Sequence, residues 1–145
     1  MLVDDAVRLL AQAPLFEGID EAHLRVLVYA ATRERIPAGR WLVRQGEEAP
    51  VGFLVLSGKA EAWLEDDPAS RLELQRGAFI GEGAMLGGLP HRMNVRVTEN
   101  MAVLRIARED FLRVAREFPE MGRMVMANFA RRMANVLTTL QSRLP

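Results

Sequence analysis

Gly77-Ala78-Phe79-Ile80-Gly81-Glu82-Gly83-Ala84-Met85-Leu86-Gly87-Gly88-Leu89-Pro90-His91-Arg92-Met93-Asn94-Val95-Arg96-Val97 gathers five glycines, one acid, one proline and two arginines between strand-like flanks. No other stretch sets so much backbone freedom beside complementary charge. Lacking a Cβ, glycine lets backbone N–H groups converge on an anion. A helical turn beginning at Glu82 would leave its first N–H groups unpaired and add a partial positive charge there. Arg92 stands where a guanidinium can close on a phosphate with paired donors. The pattern reads as a pocket for a small phosphorylated ligand.

On the N-terminal side of this cassette, short apolar or alternating runs follow one another from Thr32: Arg33–Ile36, Trp41–Arg44, Gly52–Leu56, Lys59–Leu64 and Arg71–Leu74. Met93–Val97 and Ala102–Ile106 continue the series beyond it. The breakers between them are Pro37-Ala38-Gly39, Gln45-Gly46-Glu47-Glu48, Ser57-Gly58, Glu65-Asp66-Asp67-Pro68 and Glu99-Asn100. Regular short strands with turn signals predict an antiparallel sandwich or barrel. No helical crossovers separate them, so a parallel doubly wound sheet does not fit.

Both ends of the chain carry helical period instead. Residues 3–12 place Val3, Val7, Leu10 and Ala11 on one side, and Pro14 ends that helix before Leu15-Phe16. Asp20 is placed to cap a second helix over about 21–31, with Leu24, Leu27, Val28 and Ala31 at helical spacing. His23 lies beside that stripe and reads as a surface residue. After Arg108, residues 109–117 read as a helix, and Pro119 suits the first turn of a long helix over about 120–142. Met126, Phe129, Met133, Val136 and Leu140 fall on a heptad-like seam along it, the expected dimer contact. The predicted class is therefore α+β, mainly β. It is an antiparallel β-roll or jelly-roll barrel with N-terminal helices (1–31), the roll (32–107) and two C-terminal helices (108–145), all in a single domain over 1–145.

Composition narrows the functional classes. The chain has 145 residues, half of them apolar, which is enough for one packed core. Its longest apolar stretches fall far short of the roughly 20 residues of a membrane span. The opening Met-Leu-Val-Asp-Asp is acidic where a signal peptide would be basic, so a soluble cytoplasmic protein is expected. With no cysteine there is neither a disulfide framework nor a thiolate metal site. Formal net charge is zero, which argues against a nucleic-acid binder working by bulk charge. The first 102 residues carry 11 basic and 15 acidic side chains, whereas the remainder carries 8 arginines and 4 acids. That imbalance reads as a solvated helix surface.

The familiar nucleotide motifs fail on their spacing. Gly81-x-Gly83 lacks a third glycine at Leu86, so it is not a dinucleotide fingerprint. Gly83 and Gly88 have P-loop spacing, but Leu89-Pro90 follows where Lys-Ser/Thr is needed. A metal cupin needs a histidine cluster, and only His23 and His91 are present. No serine lies in an elbow motif. A non-enzyme needing no cofactor is expected.

The order of elements and the cassette together resemble the cyclic-nucleotide-binding domain family. That family includes the sensor domains of catabolite-activator-type regulators, regulatory subunits of cyclic-AMP-dependent kinase and tails of cyclic-nucleotide-gated channels. Pro14-Leu15-Phe16, Ile36-Pro37-Ala38-Gly39, Arg44-Gln45-Gly46-Glu47, Phe53-Leu54-Val55-Leu56-Ser57-Gly58 and Phe79-Ile80-Gly81-Glu82 are similar to its recurrent turns and to the start of its phosphate-binding cassette. The likeness covers nearly the whole chain.

The resemblance implies roles for particular residues. Glu82, after Gly81, matches the acid that accepts the ribose 2′-hydroxyl. Gly83 and Ala84 match the residues whose N–H groups hold the cyclic phosphate. An arginine later in the cassette pairs with the phosphate oxygens, and here the sequence departs from the pattern. Counted without gaps against kinase- and channel-type cassettes, that slot holds His91; catabolite-activator-type spacing lands on Arg92. Strand alternation puts His91 on the inner face with Met93, Val95 and Val97, leaving Arg92, Asn94 and Arg96 outside unless a bulge intervenes. Met93 stands where the family has a small residue, and Asn94 where it often has Ser or Thr.

Two functions follow as expectations. One is a regulatory module that binds cyclic AMP or cyclic GMP and relays ligand state through its C-terminal helices. The other is a ligand-free relative serving as a homodimerisation or protein-docking module. The sequence ends at Pro145, directly after the long helix, so no helix-turn-helix and no direct DNA contact are expected.

Overall fold

Two long antiparallel strands form the spine of the molecule: β3 (Val51–Leu64) and β6 (Asn94–Ala107), paired from Val51↔Ala107 to Trp63↔Asn94. The computed structural model describes residues 3–142, with side chains as far as Asn135 and at Thr138. Around the spine, β1 (Thr32–Ile36) and β2 (Trp41–Val43) pair with β6, while β4 (Asp67–Leu74) and β5 (Phe79–Ile80) pair with β3. The sheet order β1-β6-β3-β4 leaves β1 and β4 unpaired with each other, so the roll is an open antiparallel sheet and not a closed barrel.

The first half of β3 is buried on both faces, which is why its sequence is an unbroken apolar run. Leu54 and Leu56, with Leu104 and Ile106 of β6, face a helical layer. Phe53 and Val55, with Val103, face the inside of the roll together with Val43, Ala62, Ile80, Val95 and Val97. The helical layer comprises α1 (Val3–Gln12), a 3-10 turn at Pro14–Phe16, α2 (Glu21–Ala30), α4 (Arg108–Glu117) and α5 (Pro119–Ser142). Asp20 caps α2 as the sequence predicts, its Oδ1 accepting the Ala22 N–H at 2.8 Å, worth about 1 kcal/mol. His23 is half-buried rather than exposed, because its ring lies 4.5 Å from that of Phe118.

Two expected turns are bulges within continuous strands. Ser57-Gly58 does not separate two strands; the β3–β6 register shifts there and the strand runs on to Leu64. Gly58 makes this possible, with φ +86° and a Cβ position only 2.3 Å from the Asn100 carbonyl oxygen. Glu99-Asn100 likewise lies inside β6, opposite that bulge. The true hairpin tip is at Glu65-Asp66, where Asp66 takes φ 62°, and β4 starts in the expected loop. On the outer face, Trp41 and Trp63 meet at a tilt with ring centroids 5.5 Å apart, flanked by the Arg44 guanidinium at 4.4 Å and that of Arg71 at 4.6 Å.

Candidate functional site

The cassette enters from β5, turns at Gly81 and coils into α3 (Glu82–Gly87). Gly81 adopts φ +86°, and a Cβ there would lie 2.7 Å from both His91 Cε1 and the Val51 carbonyl oxygen. Met85 closes the first turn through its N–H to the Gly81 carbonyl at 2.9 Å, and it anchors α3 by burying its side chain among the helices. The N–H groups of Gly83 and Ala84 lie within this first turn, where no carbonyl of the helix receives them. Gly88, again left-handed, ends the helix by donating to the Ala84 carbonyl at 3.0 Å.

A cavity of about 730 Å³ opens beside the cassette, within the usual range for small-molecule pockets. Its floor is the inside of the roll (Val43, Ala62, Val95), one wall is the cassette and the other is α5. Gly81, Glu82, Gly83, Ala84, His91, Arg92 and Met93 all line it. Met93 is half-buried against the roll interior and forms wall, so it does not plug the space.

His91 and Arg92 differ sharply in setting. His91 is 5% exposed, with its Nε2 2.9 Å from the Ala49 carbonyl oxygen. Its main chain is tied to the 44–50 loop on both sides, donating to the Glu47 carbonyl at 3.0 Å and accepting from the Gly46 N–H at 2.8 Å. Arg92 is exposed at the cavity edge. Both line the cavity, His91 as the buried one; because β6 starts only at Asn94, neither sits in a strand and alternation does not decide between them.

Asn94 is not brought to the cavity. Being out of phase with Met93 and Val95, its side chain turns to the far side. There Oδ1 accepts the Gln45 N–H at 2.9 Å and Nδ2 donates to Glu65 at 2.6 Å. Its role is to tie the start of β6 to two loops. The helical seam also divides. Met126 is exposed, whereas Phe129 and Met133 line the cavity; the side chains of Val136 and Leu140 lie outside the described residues.

One principal side chain escaped the sequence reading. Arg132 of α5 donates from Nε to Glu82 Oε1 at 2.7 Å and from Nη2 to Oε2 at 2.7 Å, a bidentate pair across the mouth. The available signal was an arginine set beside Phe129 and Met133 at i+3 and i−1 on an otherwise apolar stripe. Asn128 was missed as well. It is buried and donates to the carbonyls of Leu15 and Glu17, both at 2.9 Å, which pins α5 to the 3-10 turn, and Arg131 donates to its Oδ1. Among the described residues no group of three or more His, Asp or Glu is gathered to hold a metal ion, and no helix is long and apolar enough to cross a membrane.

The site is thus a half-enclosed cavity between the inside of the roll and α5, lined by one acid, Glu82, and one buried imidazole, His91. The cyclic nucleotide-binding domain profile matches residues 33–118, and the chain belongs to that family. It is 29% identical over 118 residues to a cyclic nucleotide-gated potassium channel of Rhizobium etli, covering 81% of this chain and 32% of the channel. It is 27% identical over 105 residues to a cAMP-dependent protein kinase regulatory subunit of Emericella nidulans, covering 72% of this chain and 26% of that one. Among solved structures, a cyclic nucleotide-binding-like protein from Brucella abortus superposes with a TM-score of 0.68 at 28% identity, covering 78% of this chain and 98% of that one. The chain thus spans about a third or less of the length of these two curated relatives.

Proposed function

We propose that this chain, as one domain, is a regulatory and non-catalytic module that binds cyclic AMP or cyclic GMP in the cassette cavity and passes ligand state to α4 and α5. The observation that carries this reading is the open cavity walled by both Glu82 and the α5 side chains Phe129, Arg132 and Met133. A ribose hydroxyl reaching Glu82 must share a carboxylate that Arg132 already holds. Any ligand that repositions Glu82 therefore acts directly on α5. The adjoining aromatic and thioether surface of Phe129 and Met133 suits a flat base. The exposed Met126, first residue of the predicted seam on α5, offers an apolar contact for a second copy.

Titration calorimetry with both nucleotides tests the binding. Heat of binding with at least one of them, reduced tenfold or more in Glu82→Ala, is expected. No heat with either nucleotide overturns the reading in favour of a docking module. Sedimentation at increasing concentration tests the second copy, and a strictly monomeric mass overturns it.

A further inference from the structure

We propose that His91 is the side chain that meets the ligand's phosphate and that it takes up a proton on doing so, which makes affinity in this pocket rise as pH falls. The inference rests on the cyclic-nucleotide reading above and adds to it the means of charge recognition. A carbonyl oxygen only accepts hydrogen bonds, so the 2.9 Å contact with Ala49 requires the hydrogen on Nε2. Nδ1 is then the nitrogen left to change protonation. Among the described residues it has no hydrogen-bond partner, although His91 is only 5% exposed. No buried side-chain nitrogen or oxygen among the described residues is left unsatisfied, so Nδ1 keeps contact with the cavity that His91 lines.

In the neutral ring, Nδ1 presents a lone pair, which an anionic oxygen avoids. In the protonated ring it presents a charged N–H, which an anionic oxygen accepts. The ring cannot turn away to escape this choice. It is held between the Ala49 carbonyl and the bare Gly81 backbone, with Nδ1 3.3 Å from the place of a Gly81 Cβ.

Among the described residues, the carboxylates nearest the ring are engaged elsewhere or exposed. From α3, Glu82 is occupied by Arg132 of α5 on both oxygens. From the 44–50 loop, Glu47 gives the ring segment its main-chain carbonyl while its carboxylate takes the Arg44 N–H; Glu48, beside Ala49, is exposed. The next residue, Arg92, adds a like charge. From β3 and β5, Val51, Phe79 and Ile80 contribute no charge. The partner that favours imidazolium is therefore the ligand. A guanidinium in this place would be charged at every pH and would show no such linkage.

Calorimetry with cyclic AMP and cyclic GMP between about pH 5.5 and 8.5, in two buffers of different ionisation enthalpy, reads the effect. A cyclic phosphodiester keeps a single charge over that range, so proton uptake reports the protein. Uptake of up to one proton per ligand is expected in the pH window where affinity changes, with Kd rising up to tenfold per pH unit within it. His91→Gln, whose amide can still donate to Ala49, is expected to bind weakly with a flat profile. His91→Arg is expected to bind with a flat profile and higher affinity at alkaline pH.

Binding by the wild type with the same affinity and no proton uptake at all pH values overturns this inference and leaves the nucleotide reading standing. Absence of binding at any pH overturns the nucleotide reading instead. In that case dimethyl phosphate, a non-titrating anion, is titrated against the His91 ring by NMR. The chain has only two histidines, so His91→Gln assigns the signal. A His91 titration midpoint that rises with dimethyl phosphate supports the inference, and an unmoved one overturns it.

Discussion

Arg132 and Glu82 stand fifty positions apart and meet through three hydrogen bonds of 2.7, 2.7 and 3.2 Å, so that α5 is fastened to the cassette by a single guanidinium–carboxylate fork. Glu82 is largely sheltered and Arg132 is 42% exposed, so solvent screens part of the attraction. A net contribution of about 1 kcal/mol is the right scale for such a pair. Its consequence for function is larger than its energy, because it is the direct polar link between the acid of the cassette and the helix across the mouth.

A double-mutant cycle with Glu82→Gln and Arg132→Gln measures that link. The expected coupling is about 0.5–1.5 kcal/mol in urea unfolding, and each single variant should speed hydrogen exchange in α5 beyond Asn128. Strict additivity of the two changes would show that the fork holds nothing.

Gly81→Ala meets two costs at once, the left-handed backbone and a Cβ 2.7 Å from His91 Cε1 and the Val51 carbonyl. Together they amount to about 3 kcal/mol. The loss should appear as a lower urea midpoint with an unchanged slope.

Gly58 and Gly39 provide an internal control for the bulge. Both have positive φ, but a Cβ at Gly39 meets nothing within 4 Å, whereas at Gly58 it meets the Asn100 carbonyl at 2.3 Å and the Met101 Cα at 2.7 Å. Backbone atoms of a central strand cannot move aside cheaply. Gly39→Ala is expected to cost about 1 kcal/mol and Gly58→Ala at least twice as much, read from paired thermal melts.

Asn128→Ala removes the donor to two main-chain carbonyls, those of Leu15 and Glu17, and frees Arg131 from its partner. Leaving a buried acceptor unsatisfied costs about 1–3 kcal/mol, so a melting temperature lower by several degrees is expected. An unchanged melt would mean that water replaces the amide without loss.

Most of the architecture could be read from local patterns because those patterns are enforced locally. Asp20 announces a helix start, Pro14 and Pro119 bracket helices, and the change of period at Thr32 marks the sheet. The two misread turns share one cause. Ser57-Gly58 and Glu99-Asn100 have turn composition, yet each strand carries on because its partner bulges opposite it, a fact about pairing that neither segment contains. The short β5 has only two residues and escaped for lack of any period. Within the cassette, alternation separates Asn94 from the cavity-lining Met93 and Val95, but Asn94 is buried under two loops instead of lying outside. Arg132 and Asn128 were invisible for the opposite reason: their partners lie 50 and more than 110 positions away, and polar residues on a helix face read as solvated until the packing is known.

The tilted pair on the outer face of the roll has an optical consequence. Trp41 and Trp63 are the two tryptophans of the chain, so all its indole emission arises from one coupled site. One ring sits on β2, two residues before Val43, and the other on β3, next to Ala62; both Val43 and Ala62 belong to the cavity floor. The tilted contact at 5.5 Å between centroids, with a guanidinium 4.4 Å from one ring and another 4.6 Å from its neighbour, changes with any relative shift of those two strands. The domain therefore carries a built-in, label-free strain gauge on the reverse side of its own pocket wall.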